Sequence, residues 1–195
     1  MGSTPLPNIG RPAGNALNHI GITTLEEVSK LDEKTLLKIH GVGPKAVKLL
    51  KAEMDQKKLK FQNPEPLAFN PGFAVFGDLK CDNAPKRRVI RDFIIARTAV
   101  NKSQLKELIT EDFEYETVNG KTVQGFEEFI DSMTTGERTI SSLVIETNLS
   151  HGKAGASDSV ITLNSGSRIH TADFYTFENH KKDAKLKAVK SYLLE

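Results

Sequence analysis

Ile39-His40-Gly41-Val42-Gly43-Pro44-Lys45-Ala46 is the stretch that decides how the first third of the chain folds. Two glycines flanking one apolar residue allow a tight turn, and Pro44 suits the first turn of a helix, where its missing N–H costs nothing. Downstream, Ala46, Val47, Leu49, Leu50 and Met54 recur as the apolar positions of a longer helix. Upstream, Leu36, Leu37 and Ile39 mark one side of a shorter helix, with Asp32 placed as its cap. A helix–turn–helix unit follows, pinned by a buried Val42. Backbone N–H groups at the start of the second helix then point outward, where the helix end has partial positive charge and unpaired donors. Such a turn can receive a phosphate oxygen, with Lys45 and Lys48 beside it. The glycines also serve the turn with no anion bound, so a purely structural role stands beside this one.

A weaker copy lies earlier. Asn8-Ile9-Gly10-Arg11-Pro12-Ala13 aligns with Gly41-Val42-Gly43-Pro44-Lys45-Ala46, and Leu17 aligns with Leu50. Asn8 stands at a glycine position, but Asn tolerates left-handed backbone better than most residues. Between the copies, Thr24-Leu25-Glu26-Glu27 reads as a capping box at a helix start. Charge follows the same division. Residues 1–60 hold ten Lys and Arg against six Asp and Glu, residues 61–84 one against three, and residues 85–195 sixteen against sixteen. The positive excess therefore lies with the glycine turns, where a polyanion contact is expected, although a solvated helical surface accounts for it equally.

These residues make the first third resemble a tandem helix-hairpin-helix unit, of the kind also seen in the C-terminal domain of the RNA polymerase α subunit. Ile9-Gly10-Arg11-Pro12-Ala13, then Gly21-Ile22-Thr23-Thr24-Leu25-Glu26-Glu27, then Gly41-Val42-Gly43-Pro44-Lys45 carry the likeness. The resemblance implies non-sequence-specific contact with the phosphate backbone of duplex DNA. It assigns that contact to Gly10 and Arg11 in the first hairpin and to Gly41, Gly43 and Lys45 in the second, with Lys48 alongside. It equally allows a protein-docking module.

From residue 61 the pattern changes. Pro64, Pro66 and Pro71 with Gly72 and Gly77 exclude a continuous helix over 61–84, yet Phe61, Leu67, Phe69, Phe73 and Phe76 are too apolar for a free linker. This connector is expected to pack on one domain. From Pro85 on, an amphipathic helix around Val89 to Arg97 precedes a short one from Ser103 to Ile109. A strand from Phe113 to Val118 ends at the turn Asn119-Gly120, and a third helix spans Gly125 to Met133. Four strand-like runs close the chain: Ile140 to Leu149, Ala154 to Leu163, Ile169 to Phe177 and Leu186 to Leu193. Helices followed by a run of strands mean α+β. The expected architecture is thus an all-α helix-hairpin-helix domain at 1–60, the connector at 61–84, and at 85–195 a cone-shaped α+β domain with a curved antiparallel sheet.

That order of elements, with Gly125-Phe126-Glu127-Glu128-Phe129 and Ala172-Asp173-Phe174-Tyr175-Thr176-Phe177, resembles the nuclear transport factor 2-like superfamily near its SnoaL-like branch. The resemblance implies a sheet wrapped round helices, often enclosing a cavity, and functions ranging from isomerase or cyclase to ligand binder or dimerisation module. Enzymes of this kind use a carboxylate or imidazole in an apolar cavity. Tyr115, Asp173 and Tyr175 are the pocket candidates. Asp173 and Tyr175 share one strand face and His170 takes the other. Each has a plainer role: Asp173 as a hydrogen-bonding partner within the sheet, Tyr175 as core, His151 as a turn residue, His170 as a surface residue. Glu116 does not align with the acid of the steroid-isomerase branch, and the catalytic residues stay unassigned.

Other chemistry is narrowed by composition. The chain has 195 residues, a net charge of +2 and 38% hydrophobic residues. No apolar run approaches the roughly 20 residues of a membrane span, and Met1-Gly2-Ser3-Thr4-Pro5 has no secretory pattern. A cytoplasmic protein without membrane contact is expected. The one cysteine, Cys81, excludes an internal disulfide, and the five histidines lack the spacing of a metal site. No metal and no cofactor are expected. The leading reading is a binding protein: a DNA-touching helical module fused to a domain that forms a homodimer or holds a small apolar ligand. The alternative is a SnoaL-like isomerase or cyclase acting on a small apolar substrate, with the helical part as a docking module.

Overall fold

The computed structural model describes residues 3–61, 66–81, 84–118, 122–133 and 139–194. Four helices form the first unit: α1 (Arg11–His19), α2 (Leu25–Ser29), α3 (Glu33–Lys38) and α4 (Pro44–Gln56). Leu17, Val28, Leu36 and Leu50, one from each helix, are fully excluded from solvent. Because such short helices are marginal alone, this shared core and the caps hold them. Thr24 and Glu27 form the expected capping box on α2, and Asp32 Oδ1 accepts the Thr35 N–H at 2.6 Å on α3. Val42 is buried, as the hairpin reading requires. The first glycine bend differs from the second in one respect. Gly10 is entered from an extended segment, in which Pro5 bridges Thr24, rather than from a helix.

The second unit contains α5 (Pro85–Thr98), α6 (Lys102–Leu108) and α7 (Phe126–Met133). Its strands are β1 (Ala74–Gly77), β2 (Ile109–Thr117), β3 (Thr122–Gln124), β4 (Ile140–His151), β5 (Ala154–Leu163), β6 (Arg168–Phe177) and β7 (Leu186–Leu194). They form one curved, open sheet in the order β1-β4-β5-β6-β7-β2-β3. Irregular pairings at Ile140/Ser142 and Ile145/Thr147 lie along β4, where extra residues bend a strand. Helix α5 lies against the inner face. Phe93 packs among Phe113, Phe129 and Tyr175 at ring-centroid distances of 5.9, 6.1 and 6.0 Å.

Strands β4 to β7 are the expected antiparallel meander. The sheet as a whole is mixed, however, because β1 pairs with β4 and β2 with β7 in parallel. Neither pair is joined by a hairpin: α5, α6, β2, β3 and α7 lie between β1 and β4, and β3, α7 and β4 to β6 lie between β2 and β7, so no short turn imposes the antiparallel sense. The turn Asn119-Gly120 lies outside the described residues.

The connector does not pack on one domain; it packs on both. Phe73 and Val75 sit in the core of the α+β domain, whereas Ala74 and Phe76 sit in the core of the helical unit. Strand alternation sends successive side chains to opposite faces, and β1 uses one face for each core. The helical unit consequently covers the outer sheet face near β1 and β4, where Val144 packs against it. The Arg168 guanidinium donates to the His19 carbonyl at 3.1 Å across the same junction.

Candidate nucleic-acid interface and ligand cavity

The two glycine bends lie against each other. Gly41 has φ +94°, and a Cβ there would come within 3.1 Å of the Pro12 carbonyl oxygen and 3.3 Å of the Ala16 Cβ. The second hairpin therefore touches the first turns of α1, and glycine is needed both for the backbone conformation and for that approach. Gly10 and Gly43 are the N-caps of α1 and α4, and neither helix has a side-chain cap or an acidic residue in its first turn. Helices α2 and α3 have both. The amide donors at the head of α4 are thus left to an external acceptor. At the first bend the Gly10 N–H is turned back on the Asn8 side chain at 3.2 Å.

Gly43 is unlike Gly41. Its φ of −101° is open to any residue, and a Cβ there would meet nothing within 4 Å. Neither backbone geometry nor packing asks for glycine at this position. Arg11, Lys45 and Lys48 are exposed, and among the described residues none is paired with a carboxylate. Lys51, one turn beyond Lys48, is by contrast held by Glu33. Of the six residues assigned from the sequence to phosphate contact, five lie at these bends or in the first turns of α1 and α4, and Lys48 begins the second turn of α4.

In the α+β domain the curved sheet and helices leave a cavity of about 430 Å³, open to solvent. Ile140, Ile161, Leu163 and Ile169 form much of its apolar wall, and Arg97, Thr98, Tyr115 and Thr171 supply polar groups. Of the three pocket candidates, Tyr115 lines this cavity. Asp173 and Tyr175 are not on its wall but behind Arg97. Arg97 Nη2 donates to Asp173 Oδ2 at 2.6 Å, and Nη1 donates to Asp173 Oδ1 at 3.2 Å and to the Tyr115 hydroxyl at 3.3 Å. The Tyr175 hydroxyl donates to Asp173 at 3.2 Å, which leaves Ser157 as donor in the 2.7 Å contact with Tyr175.

This buried group is internally matched. Burial alone would lower the Arg97 pKa, but the adjoining Asp173 carboxylate and the Tyr115 and Tyr175 hydroxyls outweigh it and raise it above the ordinary value. Burial, and then the negative charge of Asp173, push the Tyr175 hydroxyl well above its ordinary range. Asp173 is therefore the partner of a buried cation on α5 and accepts from Tyr175 on its own strand. Arg97 was visible in the sequence only as an amphipathic-helix residue, because a basic side chain at a helix end is usually solvated. Thr98 Oγ1, also on the wall, is buried with no hydrogen-bond partner among the described residues.

His170 is exposed on the outer face, and His151 is exposed at the end of β4. Cys81 is fully buried. Among the described residues, no three His, Cys, Asp or Glu side chains are grouped to hold a metal ion, and no helix is long and apolar enough to cross a membrane.

Residues 6–55 match the family model described as a SAM-like helix-hairpin-helix tandem. No curated protein matches the chain. Similar solved structures align with the C-terminal part. A candidate ketosteroid isomerase from Kribbella flavida is 16% identical, with a TM-score of 0.48 over 57% of this chain and 78% of its own. A nuclear transport factor 2-like protein of unknown function from Cytophaga hutchinsonii is 19% identical, with a TM-score of 0.44 over 55% and 88%. Another from Burkholderia xenovorans is 14% identical, with a TM-score of 0.48 over 60% and 88%. Residues 6–55 are thus a tandem helix-hairpin-helix unit, and the α+β domain that follows has nuclear transport factor 2-like and ketosteroid isomerase-like proteins as its structural neighbours.

Proposed function

We propose that this chain is a cytoplasmic, non-sequence-specific DNA-binding protein whose α+β domain pairs two copies and offers a small apolar ligand a cavity. The observation that carries the DNA reading is Gly43, a glycine that the fold itself does not require at the uncapped head of α4. A side chain there would stand between the amide donors and an approaching phosphate. Arg11, Lys45 and Lys48 flank the same bends, and contact with phosphate alone gives binding that ignores base sequence. The test is duplex titration by fluorescence anisotropy at low salt. Arg11→Glu combined with Lys45→Glu weakens unrelated duplexes equally, by on the order of tenfold or more. Unchanged affinity in that double variant refutes the proposal.

Pairing is supported by the outer sheet face. Leu149, Phe174, Tyr192 and Leu194 are 59%, 56%, 40% and 73% exposed. The strand register places them on one side, beside the part covered by the helical unit. Phe174 and Tyr192 meet edge to face at 5.9 Å. An apolar strip of this kind marks a surface that a partner covers, and a second copy would join two weak phosphate-binding modules into one of higher avidity. Phe174→Lys with Tyr192→Lys should shift the mass in light scattering from dimer to monomer; a wild type already monomeric at high concentration refutes pairing. The isomerase or cyclase alternative needs an acid or base free to exchange protons with substrate. The engagement of Asp173 by Arg97 favours ligand binding over that reaction.

A further inference from the structure

We infer that the nucleic-acid surface does not end at the hairpins but continues along a groove onto the α+β domain, which supplies part of the same contact to the sugar-phosphate strand. The inference rests on the DNA reading above and extends it to residues outside the helix-hairpin-helix unit.

A groove of about 640 Å³ starts at Gly41 in the second glycine bend. One wall is made by Asn15 and His19 of α1 together with His40, and the other by Ser141 at the start of β4 and Asn164 in the turn after β5. Each of these five side chains can donate a hydrogen bond, and among the described residues no carboxylate lines the groove. A surface for a basic peptide would need acidic groups here. A surface of uncharged donors and imidazoles that begins at the second glycine bend suits the oxygens of a phosphodiester and its sugar.

The walls are held at a set spacing. Arg168 Nη2 donates to the His19 carbonyl, and at Gly166 a Cβ would come within 2.9 Å of the His19 ring. The turn after β5 is thus seated against the end of α1, and β1 belongs to both cores a short distance away. A strand of duplex lying on the second bend meets Ser141 and Asn164 without any movement between the two units.

The experiment measures duplex affinity over a salt series for the whole protein. Asn164→Lys adds a cation in the groove, and Thr176→Lys adds one at the far, exposed end of β6. Asn164→Lys is expected to tighten binding several-fold and to steepen the slope of log K against log salt by about 0.9, the value for one more neutralised phosphate. Ser141→Ala with Asn164→Ala is expected to weaken binding several-fold with an unchanged melting temperature. Thr176→Lys should do neither. If Asn164→Lys and Thr176→Lys are indistinguishable while Arg11→Glu with Lys45→Glu abolishes binding, the groove is excluded and the hairpin reading stands. If the Arg11 and Lys45 double variant binds like wild type, both fall together.

Discussion

Val75 and Phe76 are consecutive residues of β1, yet Val75 belongs to the core of the α+β domain and Phe76 to the core of the helical unit. Their Cα atoms lie opposite Leu143 and Val144 of β4, whose side chains divide between the two cores in the same way. One strand is therefore a wall of both units, and their relative placement follows from strand alternation rather than from a flexible tether.

Truncating the two neighbours should separate the cores. Phe76→Ala removes a large buried side chain from the helical core and costs about 3–5 kcal/mol. Its loss of amide protection should concentrate in α1 to α4, whereas Val75→Ala should loosen α5 and β4 first. Hydrogen exchange resolved by residue checks this; the same pattern in both variants would contradict the two-sided strand.

Gly77 ends β1 with φ +98°, and a Cβ there would clash with the Ile145 carbonyl oxygen, which accepts the next N–H, that of Asp78, at 2.6 Å. Gly77→Ala must move backbone, since no flexible side chain is in the way. We expect a loss of about 2 kcal/mol or more in chemical unfolding, larger than for an ordinary surface glycine.

Asp173→Ala leaves the Arg97 guanidinium buried without its carboxylate and should cost about 3–5 kcal/mol. Replacing both, as Arg97→Leu with Asp173→Leu, should recover much of that loss, because two apolar side chains need no charge partner. A double variant no more stable than Asp173→Ala would place the role of Asp173 elsewhere than in neutralising Arg97.

Acid should weaken the helical unit through Glu26 and Glu27. The Thr4 N–H and hydroxyl hold the Glu26 carboxyl below its ordinary value of 4.5. At Glu27 partial burial pushes upward, but the Thr23 and Thr24 N–H groups outweigh it, so its pKa is lowered as well. A carboxyl with a lower pKa folded than unfolded contributes fully above its unfolded value, and the contribution fades as pH falls through the folded one. Urea midpoints should therefore drop between pH 6 and pH 3, and Glu26→Gln with Glu27→Gln should flatten that dependence.

The helical unit was largely legible in the sequence, because caps and glycines act locally: Thr24, Glu27, Asp32 and Gly41 do in the structure what their spacing announces. The meander was legible for the same reason, since hydrophobic alternation marks each strand. Long-range choices were not. The three apolar residues of β1 look alike whichever core they enter, and nothing local to β2 specifies that it lies parallel to β7. The Arg97–Asp173 pair joins residues far apart in the chain, so only the fold reveals that a basic residue on α5 meets an acidic one on β6.

The most direct test concerns Gly43, where stability and binding can be separated. Asp is a better helix cap than glycine and favours the positive end of α4, yet it takes up the free amides and repels phosphate. Gly43→Asp should leave the melting temperature equal or higher while lowering duplex affinity by at least tenfold and reducing its salt dependence. A Gly43→Asp protein that is folded and binds duplex as tightly as wild type would contradict the account.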